Sequence, residues 1–168
     1  ACLVGSEMCI RDSDTYVLEP FLNSQGIRRI DYVFVSHADS DHINGIIGLI
    51  ENDADRIGTL MLPQSQSSKK QFEQLLTAAK KKQIPVKWIS KGDVFSLKTL
   101  PDLSFEVLWP SKNEKSDDTN ESSLVWRLNY HDFSMLFTGD LPGDCEDELV
   151  SLKPVTVLKV AHHGSDYS

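Results

Sequence analysis

Four side chains of types that commonly bind metal ions fall within six residues of one another in the first third of the chain. They are two imidazoles and two carboxylates: His37, Asp39, Asp41 and His42. Imidazole and carboxylate groups suit zinc, manganese or iron. One open catalytic ion usually takes about three protein ligands, so this crowding predicts that some of the four serve a second ion. A polar capping turn before a helix is the alternative interpretation, but it explains one aspartate only.

The flanking segments predict where this cluster lies in the fold. Residues 32–35 are aromatic and β-branched, as expected for a buried strand. Residues 43–50 have the apolar content of a helix packed on a sheet. The cluster therefore lies in the turn at the carboxyl end of a strand, where open α/β sheets place their ligands.

Three later segments carry the main predictions for the rest of the fold. Residues 69–83 have the periodicity of an amphipathic helix. Its inward side chains are Phe72, Leu75, Leu76 and Ala79. Residues 143–152 are predicted to form an acidic helix, and the β-branched residues 155–160 a buried strand that leads to a pair of histidines.

The cluster resembles the signature of the metallo-β-lactamase superfamily, which is His-x-His-x-Asp-His after a strand, with Asp39 in place of the second histidine. That replacement is familiar within the superfamily, including in the ComEC family of competence proteins. Three further segments resemble ComEC: residues 26–31, the Gly-Asp motif within residues 136–141, and the Leu-Lys-Val-Ala-His-His-Gly-Ser run at 158–165. The similarity runs from about Tyr16 to the end of the chain.

The resemblance implies an α/β fold, the four-layer αββα metallo-β-lactamase-like sandwich, truncated at both ends. Residues 1–13 resemble a translated adaptor sequence, so we interpret them as non-native; a genuine, divergent first strand is the alternative. Residues 14–168 are then one domain, which suits the length of the chain. The domain is expected to be incomplete at its C-terminus, because ComEC-like domains continue with more sheet.

The resemblance also implies two divalent ions, zinc or manganese, with iron compatible with the same ligand types. The implied ligands are His37 and Asp39 for the first ion, Asp41 and His42 for the second, Asp140 as the bridge, and His162. His163 is the alternative to His162. Adjacent side chains on an extended strand point to opposite faces, so both seldom bind one ion.

The implied catalytic residues are Asp41, which would orient the attacking water, and His163, which would hydrogen-bond the leaving group. Asn120, Lys159 and Ser165 are the candidate substrate-binding residues. Asn120 lies in a segment that resembles the Asn-x-x-Ser element of ComEC, while Lys159 and Ser165 flank the histidine pair, where they would meet phosphate. A turn residue is at least as good an interpretation of Asn120, and a surface cation is an equal one for Lys159.

The implied activity is hydrolysis by a metal-bridged hydroxide, because a bound ion lowers the pKa of water to about 7. The ComEC resemblance favours a phosphodiester, hence a nuclease acting on DNA in a competence protein. The alternatives are a metallo-hydrolase of a small ester, lactone, thioester or lactam, and a non-catalytic metal-binding module. Fold alone does not choose between them, and a truncated fragment could be inactive.

Composition limits the partners. A net charge of −8 argues against a general affinity for nucleic acid, although not against a metal site that grips phosphate. No apolar run approaches the ~20 residues that cross a bilayer, so a soluble domain is predicted. The resemblance implies a membrane-embedded bacterial parent, without indicating the side of the membrane or the oligomeric state. The three cysteines lack paired spacing, which argues against a disulfide framework or a cysteine zinc site.

Overall fold

The computed structural model describes residues 17–66, 68–114, 116–149 and 152–165. The predicted non-native segment, residues 1–13, lies outside them. Contacts between Cα atoms divide the described chain into two compact units. The first comprises the residues up to Leu62 together with Ser68–Lys87, and the second comprises Pro63–Ser67 and the residues from Trp88 onward.

Up to Ile89, the described chain alternates helices with strands. The elements are α1 (Glu19–Ser24), β1 (Ile30–Phe34), α2 (Ser40–Asp53), β2 (Ile57–Pro63), α3 (Lys70–Lys81) and β3 (Val86–Ile89). The strands form a sheet in the order β1-β2-β3, in which β1 and β2 run parallel. Parallel neighbours joined through a helix form the βαβ unit, and α2 is that helix between β1 and β2.

The core of the first unit lies between its helices and its sheet. Helices α2 and α3 pack against each other. The side chains with almost no exposure are Ile43, Leu49, Ile50, Leu60, Met61, Leu62, Phe72, Leu75 and Ala79. Burying a side chain of the leucine or phenylalanine class stabilises by about 1.5–3 kcal/mol, so this core fixes the end of β1 and the start of α2.

Two predictions for this unit need correction. Helix α2 begins at Ser40 rather than at Ile43, so Asp41 and His42 belong to its first turn. Strand β1 is only partly buried, with Tyr32 exposed, because β1 is an edge strand of the sheet that the described residues form.

Close approach of β1 and β2 requires a glycine at position 58. A Cβ there would overlap the carbonyl oxygen of Asp31 and would lie 3.0 Å from both its carbonyl carbon and its Cα. These are backbone atoms of a paired strand, so they cannot move aside as a flexible side chain would. Gly58→Ala is therefore expected to lower the free energy of unfolding by about 1–3 kcal/mol, as overpacking does.

Urea unfolding followed by circular dichroism measures that loss. Thr59→Ala on the same strand is the control, because it removes atoms, and a loss below ~1 kcal/mol is expected for it. A Gly58→Ala variant as stable as the wild type would show that the two strands can separate without cost.

From Val94 onward the described chain is mainly antiparallel. Its elements are β4 (Val94–Leu97), β5 (Leu100–Trp109), β6 (Val125–Tyr130), β7 (Phe133–Phe137), α4 (Gly143–Glu146) and β8 (Val157–Lys159). The strands form a second sheet in the order β4-β5-β6-β7-β8, antiparallel except for the parallel pair β7–β8. Cys145 and Leu149 pack on a core made of Trp109, Val125, Leu136 and Leu141.

Two predictions for the second unit also need correction, one on the length of a helix and one on the burial of a strand. The acidic helix is short, since α4 ends at Glu146 and a 3-10 turn follows over Asp147–Leu149. Strand β8 has three residues and is not buried: Val157, Leu158 and Val160 are 40–53% exposed. The physical reason is that β8 is an edge strand of the described sheet, paired only with β7.

The described residues thus form an α/β fold with two separate sheets, as the predicted sandwich requires. No helix among them is long and apolar enough to span a membrane.

Candidate metal centre

The first ligand cluster lies where β1 ends and α2 begins. Val35 continues the sheet by donating its N–H to the carbonyl of Met61 over 3.0 Å, and the connecting loop starts at the next residue. His37 lies in this loop and is 1% exposed. The prediction that the cluster occupies the turn at the carboxyl end of a strand is confirmed for His37 and Asp39, whereas Asp41 and His42 lie in the first turn of α2.

Asp39 occupies the N-cap position of α2, but its side chain does not cap the helix. Its backbone carbonyl accepts hydrogen bonds from the N–H groups of His42 and Ile43, at 3.0 and 3.1 Å. An N-cap aspartate normally uses its carboxylate to accept from a backbone N–H of the first turn. Here the carboxylate lies instead 3.7 Å from Nε2 of His37. The capping interpretation therefore leaves this side chain unexplained.

Each histidine of the cluster faces one carboxylate. Nε2 of His37 lies 3.7 Å from Oδ2 of Asp39, and Nε2 of His42 lies 3.5 Å from Oδ2 of Asp41. Both distances exceed the 2.7–3.2 Å of a good N–H···O hydrogen bond. Two ligand atoms at ~2.1 Å from one tetrahedral ion are ~3.4 Å apart. The donor atoms thus fit a divalent ion between the members of each pair.

The hydroxyl of Ser36 joins the two histidine rings on their other side. Its Oγ lies 3.0 Å from Nδ1 of His37 and 3.1 Å from Nδ1 of His42. The ring centroids are 4.0 Å apart, with an angle of 46° between the planes. One oxygen atom therefore orients both imidazoles with Nε2 towards the carboxylates.

The second ligand set surrounds Asp140, just beyond β7. Its backbone N–H donates to Oγ of Ser123 over 3.2 Å. Its side chain is 6% exposed, and Oδ2 lies 3.3 Å from Nε2 of His163 while Oδ1 lies 4.0 Å from Nζ of Lys159. A carboxylate buried to this degree needs positive charge or hydrogen-bond donors around it. The imidazole of His163 and the ammonium group of Lys159 lie where they can meet part of that need.

The histidine pair lies in a left-handed turn, not on an extended strand. His162 and His163 have φ values of 44° and 56° within the turn Ala161–Gly164. Left-handed backbone at residues other than glycine costs about 1–3 kcal/mol each and persists where the surroundings enforce it. Because the chain is not extended here, the opposite-faces argument against both histidines binding one ion does not apply. The ring that meets Asp140 is that of His163.

The structure gives Lys159 a local role. Its Nζ donates to the carbonyl of Gly139 over 2.9 Å and to that of Val160 over 3.3 Å, and it lies beside the carboxylate of Asp140. The carbonyl of Lys159 accepts from Oγ1 of Thr138 over 2.6 Å. The ammonium group thus connects the Gly-Asp turn to β8, while both earlier interpretations of this lysine stay predictions.

Asn120 is part of a turn, as one of its interpretations predicts. Its N–H donates to Oδ1 of Asp118 over 2.8 Å, and its carbonyl accepts from the N–H of Ser123 over 2.9 Å. Its own Oδ1 is buried and has no hydrogen-bond partner in the part of the chain that the structure describes. Ser165, the third candidate, donates its N–H to the carbonyl of His162 over 3.0 Å.

Within the first unit the fold brings together His37, Asp39, Asp41 and His42, and within the second Asp140, Lys159 and His163. Sequence reasoning missed two serines, Ser36 and Ser123, whose hydroxyl groups contact these candidate ligands. The only signal for either was its position, directly before the ligand cluster or within the Asn-x-x-Ser element.

Comparison with known families gives a match over most of the chain. The family described as "Beta-lactamase superfamily domain" matches residues 6–162. Among solved structures, Zn(2+)-bound PqqB from Methylobacterium extorquens is similar, with a TM-score of 0.51 at 15% sequence identity. The match covers 77% of this chain and 44% of that one. At this identity the likeness shows the fold alone.

Two curated relatives match most of the chain, and one of them is a competence protein by name. ComE operon protein 3 of Bacillus subtilis (strain 168) is 34% identical over 152 residues, and Competence protein ComA of Neisseria gonorrhoeae is 32% identical over 155 residues. Each match covers 89% of this chain and 19% of the relative. The chain thus spans about a fifth of the length of these two relatives.

Proposed function

Since the chain belongs to the metallo-β-lactamase superfamily and is related to the ComEC competence proteins, we propose that it is a nuclease domain that cuts a phosphodiester with two divalent ions. Members of the superfamily are generally metal-dependent hydrolases. The proposed ligands are His37 and Asp39 for the first ion, Asp41 and His42 for the second, Asp140 as the bridge, and His162 or His163.

One observation carries the proposal: three histidine–carboxylate pairs have similar spacings. The Nε2–Oδ distances are 3.7, 3.5 and 3.3 Å in the pairs His37–Asp39, His42–Asp41 and His163–Asp140. All are close to the ~3.4 Å expected between two ligands of one ion. The first two pairs coincide with the pairs that the superfamily resemblance assigns to separate ions. The third supports His163 as a ligand, with His162 kept as the alternative.

The ions would supply hydroxide at neutral pH and polarise the scissile group. The chain's own residues would orient the attacking water, the candidate ligands and the substrate. Asp41 would hold the attacking water, and Lys159 fastens the turn that carries Asp140. Asn120 would direct its buried Oδ1 at a hydroxyl or water of the substrate complex. Ser165 would meet the phosphate, and His163 would hydrogen-bond the leaving group if His162 is the ligand.

Phosphodiester is the proposed substrate class because of the competence relatives. With a net charge of −8, the chain has no excess of basic groups with which to attract DNA. Phosphate recognition would therefore rest on the ions. We also propose that the domain belongs to a larger, membrane-embedded parent, since the relatives are about five times longer than the matched region.

The decisive experiment is a hydrolysis assay on the chain reconstituted with Mn²⁺ or Zn²⁺. Single-stranded and double-stranded DNA are incubated with the loaded protein, with EDTA, and with EDTA followed by excess ion. Cleavage that EDTA abolishes and added ion restores is the expected result. The physical reason is that the side chains bind the ion reversibly, so the ion that activates water can be removed and restored.

Two other outcomes would replace the proposal. Turnover of ester, thioester, lactone or lactam reporters with intact DNA would indicate a small-molecule hydrolase. Ion binding without any hydrolysis, in a parent-length protein as well as in this chain, would indicate a non-catalytic metal-binding module. The longer protein is the control against a fragment that is inactive through truncation.

A further inference from the structure

We propose that Ser36 is a positioning residue that selects the tautomers of His37 and His42 and thereby couples the binding of the two ions. The inference rests on the proposed function, because it takes the two rings as ligands. It concerns a residue that binds no ion itself.

The geometry singles out one oxygen atom. Oγ of Ser36 lies within hydrogen-bond distance of Nδ1 on both rings, at 3.0 and 3.1 Å. The rings are packed together, with centroids 4.0 Å apart. His37 is buried and His42 is half-buried. Neither ring can easily turn to present its other nitrogen, because Ser36 faces one side and a carboxylate the other.

The tautomers of His37 and His42 follow from the single N–H that each neutral ring carries. A neutral imidazole carries one N–H, and a nitrogen that ligates a metal must offer its lone pair. If both rings use Nε2, both must carry their proton on Nδ1. Both Nδ1–H groups then point at Oγ of Ser36, which has two lone pairs and can accept both. The hydroxyl proton must then point away from both rings.

Without ions, the same hydroxyl is expected to donate to one ring and accept from the other. The ring whose Nδ1 accepts the hydrogen bond from the hydroxyl carries its own proton on Nε2. This ring therefore cannot bind an ion through Nε2. Binding of both ions therefore requires the hydroxyl of Ser36 to stop donating to one ring and to accept from both. Since the resemblance assigns His37 and His42 to different ions, Ser36 links the two binding steps.

The matched pair Ser36→Thr and Ser36→Val tests the hydroxyl itself. The two replacements have nearly the same shape, but only threonine keeps the oxygen. Loss of a residue that orients metal-bound histidines typically lowers metal affinity 10–100-fold. We expect Ser36→Val to weaken both Mn²⁺-binding steps by about that factor, and Ser36→Thr to stay within about threefold of the wild type. Titration followed by calorimetry measures both steps, and urea unfolding checks that both variants fold.

Nitrogen-15 NMR of the imidazoles supplies a readout that a merely structural role would not move. In the wild type loaded with diamagnetic Zn²⁺, both rings are expected to carry the proton on Nδ1, and in the ion-free protein only one. Ion-free Ser36→Val is expected to lose this asymmetry. Equal affinities and spectra for the valine variant and the wild type would overturn the inference while leaving the proposed function intact. Failure of the folded wild type to bind any ion would overturn both, and would appear before any variant is examined.

Discussion

Asp140→Ala is expected to lower the bound divalent ions from about two per chain, the number in a binuclear hydrolase, to one or fewer. As the proposed bridge, this carboxylate would serve both ions, so its removal is expected to weaken both sites together. Its two oxygens face different groups in the structure, with His163 beside Oδ2 and Lys159 beside Oδ1. The expected result is read as metal-to-protein stoichiometry by mass spectrometry after gel filtration.

The variant should fold, which makes the loss of ions interpretable. Removing one member of a buried ion pair is costly when the other charge is left without compensation. Lys159, however, has a 38% exposed side chain and keeps its two backbone carbonyl partners. Asp102→Ala is the matched control, because Asp102 is an exposed aspartate beside His131 outside both ligand sets. Two ions retained by Asp140→Ala would remove Asp140 from the metal centre.

Local periodicity was enough to predict helix α3, which packs against α2. Helix α3 follows its apolar spacing, and Phe72, Leu75 and Ala79 are fully buried as predicted. Leu76, predicted to face inward, is only partly buried. The start of α2 was missed because Asp41 and His42 look like loop residues in the sequence. A helix tolerates them in its first turn, where an acidic side chain is favoured by the helix dipole.

Tertiary position was the part that the sequence did not reveal. The residues of β8 are β-branched and apolar, which normally indicates burial, yet they lie on an edge strand. Whether a strand is central or at an edge depends on its neighbours, not on its own side chains. The left-handed turn at His162 and His163 was equally hidden, because only a few per cent of residues other than glycine adopt such backbone, even though histidine is among the enriched types.

The candidate site likewise has features that the local sequence predicts and features that depend on the folded chain. The residue types predicted the ligand chemistry, and the motif predicted the family, which the comparisons confirm. The sequence did not predict the fastening of Lys159 to Gly139 or the joint contact of Ser36 with two rings. Both depend on hydroxyl, ammonium and carbonyl groups that meet only in the folded chain. The roles of the individual residues in binding and catalysis stay predictions.

Ion binding alone does not separate a hydrolase from a metal-binding module, since both would retain the same ligands. The distinction lies in a group that orients water while the ions remain in place. Among the proposed ligands, Asp41 is the one to which both roles are assigned. It is exposed, in the first turn of α2, with its carboxylate 3.5 Å from Nε2 of His42. A variant at this position can therefore tell a nuclease from a silent binding site.

Asp41→Ala is expected to lower the rate of phosphodiester hydrolysis by about 10²–10⁴-fold, the range for loss of a positioned acid–base group. The fold should persist, because an acidic group in a first helical turn stabilises by only about 0.3–1 kcal/mol. Initial rates on a chromogenic phosphodiester are compared at low and at saturating Mn²⁺, with Ser40→Ala, an exposed neighbour outside the ligand set, as the control. If saturating Mn²⁺ restores the rate of Asp41→Ala to that of the wild type, Asp41 serves only as a metal ligand. If the rate stays low although mass spectrometry shows two ions bound, Asp41 also orients the attacking water. A rate equal to that of Ser40→Ala at low ion would exclude Asp41 from the site.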